Sequence, residues 1–349
     1  MQPNKSSMSR FLNSAAPEIE ENFADRVLSC AEIDFGIVKL SEGEKVFCRQ
    51  LNKEILLLCK SMPESIQIDA LTFLMEYAGV SFNQEINFFK NYYIPAWSTI
   101  YWLIHACPDD KKLANKDINN AISAHAMAMF LHSIDDHLND GQISVNHLSL
   151  LLRSQAWMRM NNALGNLTDG VDDGREIVKG FIDDYYTGIC GSEKIESLDR
   201  YCERFRKQMA TWLIVPVLIT KKIAGDTDFT HSIQSAYESF GIAWRLLDDI
   251  QDIEQDLIKG THSAIYYSLS ENIKNKWDKK TETKFDDSSE YTKTILEFVL
   301  ENSVIKRINE RICSELESAV AVADSYNMAD LKNEFQSLLQ PLKKTPNPL

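Results

Sequence analysis

The sequence predicts an all-α protein built as a single domain. Thirteen glycines and nine prolines in 349 residues are about half the usual share, too few for a sheet protein with many tight turns. Strand-like alternation is negligible, while one apolar stretch after another carries helix-capping signals. Neither a linker nor a repeat of 20–50 residues divides the chain into two cores.

The elements follow in order. Residues 1–17 are polar and read as a flexible N-terminus. The helical domain is expected over 18–342, with 343–349 (KKTPNPL) as a C-terminal tail. Capping boxes are predicted at Ser41 with Glu44, at Ser61 with Glu64, where Pro63 lies in the first turn, and at Ser81 with Gln84. Gly79 is expected to end the third helix. A break near Tyr93–Pro95 precedes the aromatic helix IPAWSTIYWLIHA, and CPDDKKLANKD reads as a loop. From Asn119 to Asn139 the chain is apolar on nearly every face, as a central bundle helix must be. Further helices are expected at 144–164, 173–189, 196–224 (kinked at Pro216) and 229–257. The charged stretch 278–293 reads as a mobile loop, and two helices, 292–311 and 312–340, complete the domain.

Composition narrows the function. A formal charge of −14 opposes general binding to nucleic acid or anionic membrane. The strongest apolar run, Trp212–Ile219, stops at Lys221 and Lys222, well short of the ~18 residues of a membrane span. The N-terminal MQPNKSSMSRFLNS has no apolar signal core. Seven cysteines without a CxxC pair are expected as reduced core thiols of a cytoplasmic protein.

Two acidic clusters end apolar helices: Asp135-Asp136-His137-Leu138-Asn139-Asp140, and Asp248-Asp249-Ile250-Gln251-Asp252 continuing to Glu254 and Asp256. Asp136 and Asp140 stand four apart on one helix face, and Asp248, Asp252 and Asp256 form a second such column. Like charges at this spacing destabilise a helix, and anions at its C-terminal end oppose the dipole. One such cluster alone would be an ordinary solvated surface. Two of them behind helices too apolar for a surface call for a cation between them. Carboxylates without paired His or Cys favour a hard ion, Mg²⁺ before Zn²⁺. Mg²⁺ held by few carboxylates completes its shell with phosphate oxygens, so the expected ligand is a phosphorylated molecule with an apolar body.

These residues carry a resemblance. Over about residues 70–270, the chain resembles the trans-isoprenyl diphosphate synthase and class I terpene synthase superfamily. FGIAWRLLDDIQDIEQDLIKG (240–260) resembles that family's second Asp-rich motif, F-Q-x-x-D-D-x-x-D followed by Asp and Lys; LHSIDDHLND (131–140) resembles the first. CERFRKQMATW (202–212) resembles the segment that supplies a diphosphate-binding lysine, here Lys207. The resemblance implies an α-helical bundle around a central cavity, a prenyl diphosphate substrate, three Mg²⁺ ions and a possible homodimer. It assigns Asp135, Asp136 and Asp140 to two metals, and Asp248 with Asp249 or Asp252 to a third. Lys207, Arg245 and Lys259 become the diphosphate contacts. Phe130, five residues before Asp135, becomes the pocket floor, with Tyr93, Trp97, Tyr101, Phe181, Tyr185 and Trp244 as wall candidates. His132 and His137 lack zinc-ligand spacing and read as hydrogen-bonding residues.

Departures from the family pattern sharpen the expectation. Chain-elongating members carry Gly-Lys-x-x-Arg before the first Asp-rich helix and Arg-Arg-Gly after its motif, for isopentenyl diphosphate. Here those stretches read FFKNYYIPAW (88–97) and DGQISVN (140–146), with Lys90 the single cation. A second diphosphate needs several Arg or Lys donors. The expected activity is therefore that of a terpene synthase, which ionises one linear C15 or C20 prenyl diphosphate and cyclises or rearranges the cation. Prenyl transfer to another acceptor and chain elongation are the alternatives; a non-catalytic subunit ranks last because both acidic clusters are intact.

Overall fold

The structure, a computed structural model, describes residues 30, 32–81, 83, 86–105, 112–225, 227–282 and 288–344. Among them every regular element is helical. Helix α1 (Glu42–Lys60) opens on the predicted box: Ser41 Oγ accepts from Glu44 N at 3.2 Å and the Glu44 carboxylate accepts from Ser41 N at 2.8 Å. The second predicted box does not form. Ser61 still serves α1, its N–H bonding Leu57 and Leu58 carbonyls and its Oγ donating to Leu58 O. A residue held in helical geometry cannot also be the extended cap of the next helix. The chain instead turns through a short 3₁₀ helix (Glu64–Ile66) into α2 (Gln67–Tyr77). Gly79 ends α2 in the left-handed region, φ +59°, with Val80 N bonding back to Met75 O. The third predicted box needs Gln84, which lies outside the described residues, as does the N-terminal segment 1–17.

Helix α3 (Pro95–His105) is the expected aromatic one, followed by α4 (Asn115–Asn139), α5 (His147–Leu167) and α6 (Gly174–Cys190). Residues 124–131 of α4 are all buried, so this helix is enclosed on every side. The predicted helix 196–224 is two helices, α7 (Leu198–Gln208) and α8 (Ala210–Ala224). The break falls at Met209, not at Pro216, through which α8 runs continuously. Met209 fills the space that a Cβ on Gly241 would need, its Cε lying 2.2 Å from that position. Residues 210–220 are all buried, making α8 the second enclosed helix.

Helix α9 (Thr227–Gln251) packs on α8, then breaks at Asp252 into the short α10 (Ile253–Lys259), closed by Gly260 at φ +71°. The remaining helices are α11 (Ala264–Tyr267), α12 (Glu271–Glu282), α13 (Ser288–Glu301), α14 (Val304–Ser325) and α15 (Ala329–Lys344). The stretch 278–293 is thus helical at both ends rather than a loop; 283–287 lie outside the described residues. Its start is anchored by Ile273 and fully buried Trp277, one turn apart on an otherwise charged helix. The last part holds three helices where two were expected. Their breaks sit at Ser303 and Asn327, non-glycine residues at φ 54° and 56° that composition does not flag.

One continuous apolar core runs from Cys30 to Leu342. The six described cysteines are free thiols. Among the described residues no helix is long and apolar enough to cross a membrane. The C-terminal ends of α4 and α9 both border one cavity.

Candidate active site

The two acidic clusters, far apart in sequence, line one cavity of about 810 Å³. Asp136 and Asp140 enter it from the end of α4, Asp248, Asp249 and Asp252 from the end of α9, and Asp256 and Lys259 from α10. Beneath them the wall turns aromatic: Phe88, Phe89, Tyr92, Phe130, Phe205, Trp212 and Trp244, with Ile55 and Leu74. Trp212 and Trp244 lie 5.3 Å apart, and Tyr92 meets Trp244 edge-on at 5.8 Å. One mouth is charged and one body is apolar.

The carboxylates strain against each other. Burial, and then the charge on Asp248, push Asp252 up to about 6. Burial and Asp249 push Asp256 up to about 7; one oxygen of Asp256 is buried without a partner. Asp249 is also raised by burial, against the pull of Arg245. Its contacts are fully engaged: Tyr201 Oη donates at 2.7 Å, Ala264 N at 2.8 Å, and Arg245 Nη2 lies at 3.1 Å. Arg245 also donates from Nε to Tyr201 Oη at 2.7 Å and stands 3.6 Å from Asp248. Its guanidinium lies 6.0 Å from the Tyr201 and Phe205 ring centres. Arg245 and Lys259 are the Arg and Lys side chains among the described lining residues.

The predicted residues divide. Asp136, Asp140, Asp248, Asp249, Asp252, Arg245, Lys259, Phe130 and Trp244 line the cavity. Asp135 does not: it is held by Arg153 and by Tyr185 Oη at 2.7 Å. Tyr185 is thereby a partner of that carboxylate and not a cavity wall. Lys207 also lies off the lining, its backbone and Cβ against Gly188 of α6. Trp97 is buried beside Phe47, Tyr101 packs on Phe47 and Trp102, and Phe181 packs against the core elsewhere. Tyr93 donates to Asp34 at 2.7 Å, while its neighbour Tyr92 faces the cavity.

Sequence reasoning missed Tyr77, Tyr92, Ser133, Phe205 and Trp212 as lining residues. Ser133 was within reach of helical spacing, standing three residues before Asp136. His132 and His137 both line the cavity, and burial lowers both, His132 lying 4.7 Å from Trp212 and edge-on to Phe205.

The donor set fits Mg²⁺ in one manner. Among the described residues no three acidic, His or Cys side chains converge on a single ion position, so a protein-only cage is not formed. Carboxylates facing each other across an open cavity fit an ion that takes one or two protein oxygens and completes its shell from phosphate. Asp136, Asp140, Asp248 and Asp252 are the residues that would hold it.

Comparison with solved structures follows this geometry. Geranylgeranyl pyrophosphate synthase from Corynebacterium glutamicum ATCC 13032 superposes with a TM-score of 0.63 at 13% identity, over 91% of this chain and 98% of that one. The geranylgeranyl pyrophosphate synthetase of Pyrococcus horikoshii Ot3 gives 0.61 at 11% identity, over 93% and 99%. The polyprenyl synthase of Caulobacter crescentus CB15, complexed with calcium and isoprenyl diphosphate, gives 0.61 at 12%, over 91% and 96%. The chain has the isoprenoid synthase fold. No protein-family model and no curated protein matches the sequence. Within the isoprenoid synthase fold, the acidic mouth and aromatic body described above lie in a single cavity between α4 and α9.

Proposed function

We propose that this protein is a Mg²⁺-dependent terpene synthase that ionises one linear allylic prenyl diphosphate, C15 or C20, and cyclises or rearranges the cation. The observation that carries this reading is the charge inventory of the cavity. Two facing carboxylate columns suit one metal-bridged diphosphate, whereas Lys259 is the only lining Arg or Lys not tied to an acidic partner among the described residues. Lys90, the remaining cation of the FFKNYYIPAW stretch, donates to Gly79 O and does not line the cavity. A second diphosphate would find few donors there.

Bound Mg²⁺ would neutralise the departing diphosphate. Asp136 and Asp140 on one side, and Asp248 and Asp252 on the other, would hold that ion at the mouth. Lys259 offers a direct N–H contact to its oxygens, and Arg245, fixed by Asp249 and Tyr201, offers a preorganised positive charge beside them. Phe88, Phe130, Trp212 and Trp244 shield the chain from bulk solvent and present ring faces to the cation. A volume of about 810 Å³ falls in the range of small-molecule sites.

Chain elongation is the second reading, and the names of the structural neighbours favour it. Incubation with Mg²⁺ and farnesyl or geranylgeranyl diphosphate, with and without isopentenyl diphosphate, separates the two. The expected result is diphosphate release from the single substrate, with isopentenyl diphosphate unconsumed. A saturable rise in longer-chain diphosphates on adding isopentenyl diphosphate would replace cyclisation by elongation.

A further inference from the structure

A hydroxyl pair interrupts the aromatic wall below the acidic mouth. Tyr92 Oη lies in short contact with Ser133 Oγ and donates to the Met129 carbonyl at 2.8 Å. A carbonyl can only accept, so the single phenolic proton is committed to Met129, and Ser133 is the donor to Tyr92. The Ser133 oxygen is left with lone pairs and no proton. Tyr77, whose buried hydroxyl lies beside Ser133, can donate to one lone pair. The other remains for a ligand in the cavity, which all three residues line.

Such an acceptor holds water in a particular orientation. Water donating to Ser133 Oγ turns its own lone pair away from the wall, the attitude of a nucleophile. Ser133 stands three residues before Asp136 on α4, about 4.5 Å deeper along the helix axis. Ser133 therefore lies below the acidic mouth, on the side of the apolar body. We propose that the Tyr92–Ser133 pair positions a water molecule that captures the allylic cation in competition with its cyclisation or rearrangement, so that part of the product is a prenyl alcohol whose oxygen comes from solvent. This rests on the single-substrate ionisation proposed above. The C–O bond to diphosphate breaks with its electron pair leaving on the diphosphate. The water oxygen then bonds to carbon C1 or C3, between which the charge is shared, and the water's proton passes to the released diphosphate.

The test is turnover of farnesyl and geranylgeranyl diphosphate with Mg²⁺ in ¹⁸O-water, reading diphosphate release and product mass in parallel. The expected product is an alcohol two mass units heavier. Ser133→Ala and Tyr92→Phe are expected to lower the alcohol-to-hydrocarbon ratio about tenfold, the factor for one lost hydrogen bond of about 1.4 kcal/mol; Ser133→Thr, which keeps the hydroxyl, is expected to restore it. Diphosphate release with only unlabelled hydrocarbon overturns the inference while leaving the ionisation intact. A labelled alcohol whose share is unmoved in all three variants overturns the placement at Ser133. Absence of diphosphate release from any prenyl diphosphate removes the underlying reading, and the inference with it. The labelling of the unaltered chain decides whether solvent captures the cation, and Ser133→Thr, which changes the least bulk, decides the placement where Ser133→Ala or Tyr92→Phe fails to fold.

Discussion

Both carboxylate oxygens of Asp135 are taken by one guanidinium, that of Arg153, at 2.5 Å from Nε and 3.0 Å from Nη2. The pair is largely enclosed, with 10% of the Asp135 side chain exposed, and Tyr185 adds a third hydrogen bond. Asp136, the next residue, points into the cavity instead. Adjacent acids of one motif therefore face different environments. Asp135→Ala is expected to lose about 1–3 kcal/mol in urea denaturation, because it strands Arg153. Asp136→Ala removes repulsion with Asp140, so it is expected to unfold at or above the wild-type midpoint while diphosphate release falls by orders of magnitude. Equal stability losses in the two variants would contradict this division.

In the proposed function Asp136, Asp140, Asp248 and Asp252 hold a cation shared with the ligand, so metal and diphosphate are expected to bind together. EDTA is expected to abolish turnover and Mg²⁺ to restore it. A readout independent of turnover is thermal unfolding. Mg²⁺ with inorganic diphosphate is expected to raise Tm by more than the sum of the two added separately, and Asp248→Ala to remove that synergy. Additive shifts would speak against a bridging ion.

The helical class and the two acidic columns were legible because both rest on local spacing, which the backbone of α4 and α9 preserves. What stayed hidden depended on direction. Adjacent Asp135 and Asp136 are indistinguishable in composition, and Arg153, 18 residues on, with Tyr185 holds one of them away from the cavity. Tyr92 and Tyr93 exchange expected roles for the same reason. Lys207 stands in a recognisable segment, yet the break at Met209 sets α7 against α6 at Gly188, off the cavity. Helix breaks at Ser303 and Asn327 carry no Gly or Pro mark, so two helices were expected where three form.

Phe130 lines the cavity while Ala126 and Ala128 of the same helix are fully buried, so bulk at this point limits how deep a chain extends. Phe130→Ala opens the floor. The ratio of kcat/KM for geranylgeranyl over farnesyl diphosphate is expected to rise several-fold, since each additional buried methylene contributes about 0.8 kcal/mol. An unchanged ratio would show that the ring does not meet the prenyl chain.

Away from the cavity, Glu334 of α15 accepts hydrogen bonds from Ser98 Oγ and Trp102 Nε1 of α3, and its carboxyl lies beside that of Glu44 of α1. Both carboxyls are buried, at 5% and 2% exposure. Burial first, and the bond with Glu44 next among the raising effects, push Glu334 up to about 8 from its usual 4.5. A carboxyl whose folded value is raised favours the protonated native state. Its stabilisation is complete below about 4.5 and is lost as pH climbs through about 8. Folding stability is therefore expected to fall by a few kcal/mol between pH 5 and 9, as Glu334 ionises beside Glu44 with no basic partner among its described contacts. Glu334→Gln keeps one carbonyl acceptor for Trp102, and its amide N–H₂ can donate to Ser98 Oγ and to Glu44 without a titrating proton. Denaturation midpoints of this variant are expected to vary less with pH and to exceed wild type at pH 9. A wild-type profile that is flat from pH 5 to 9, or unaltered in Glu334→Gln, would show that the protonation of Glu334 does not hold α1, α3 and α15 together.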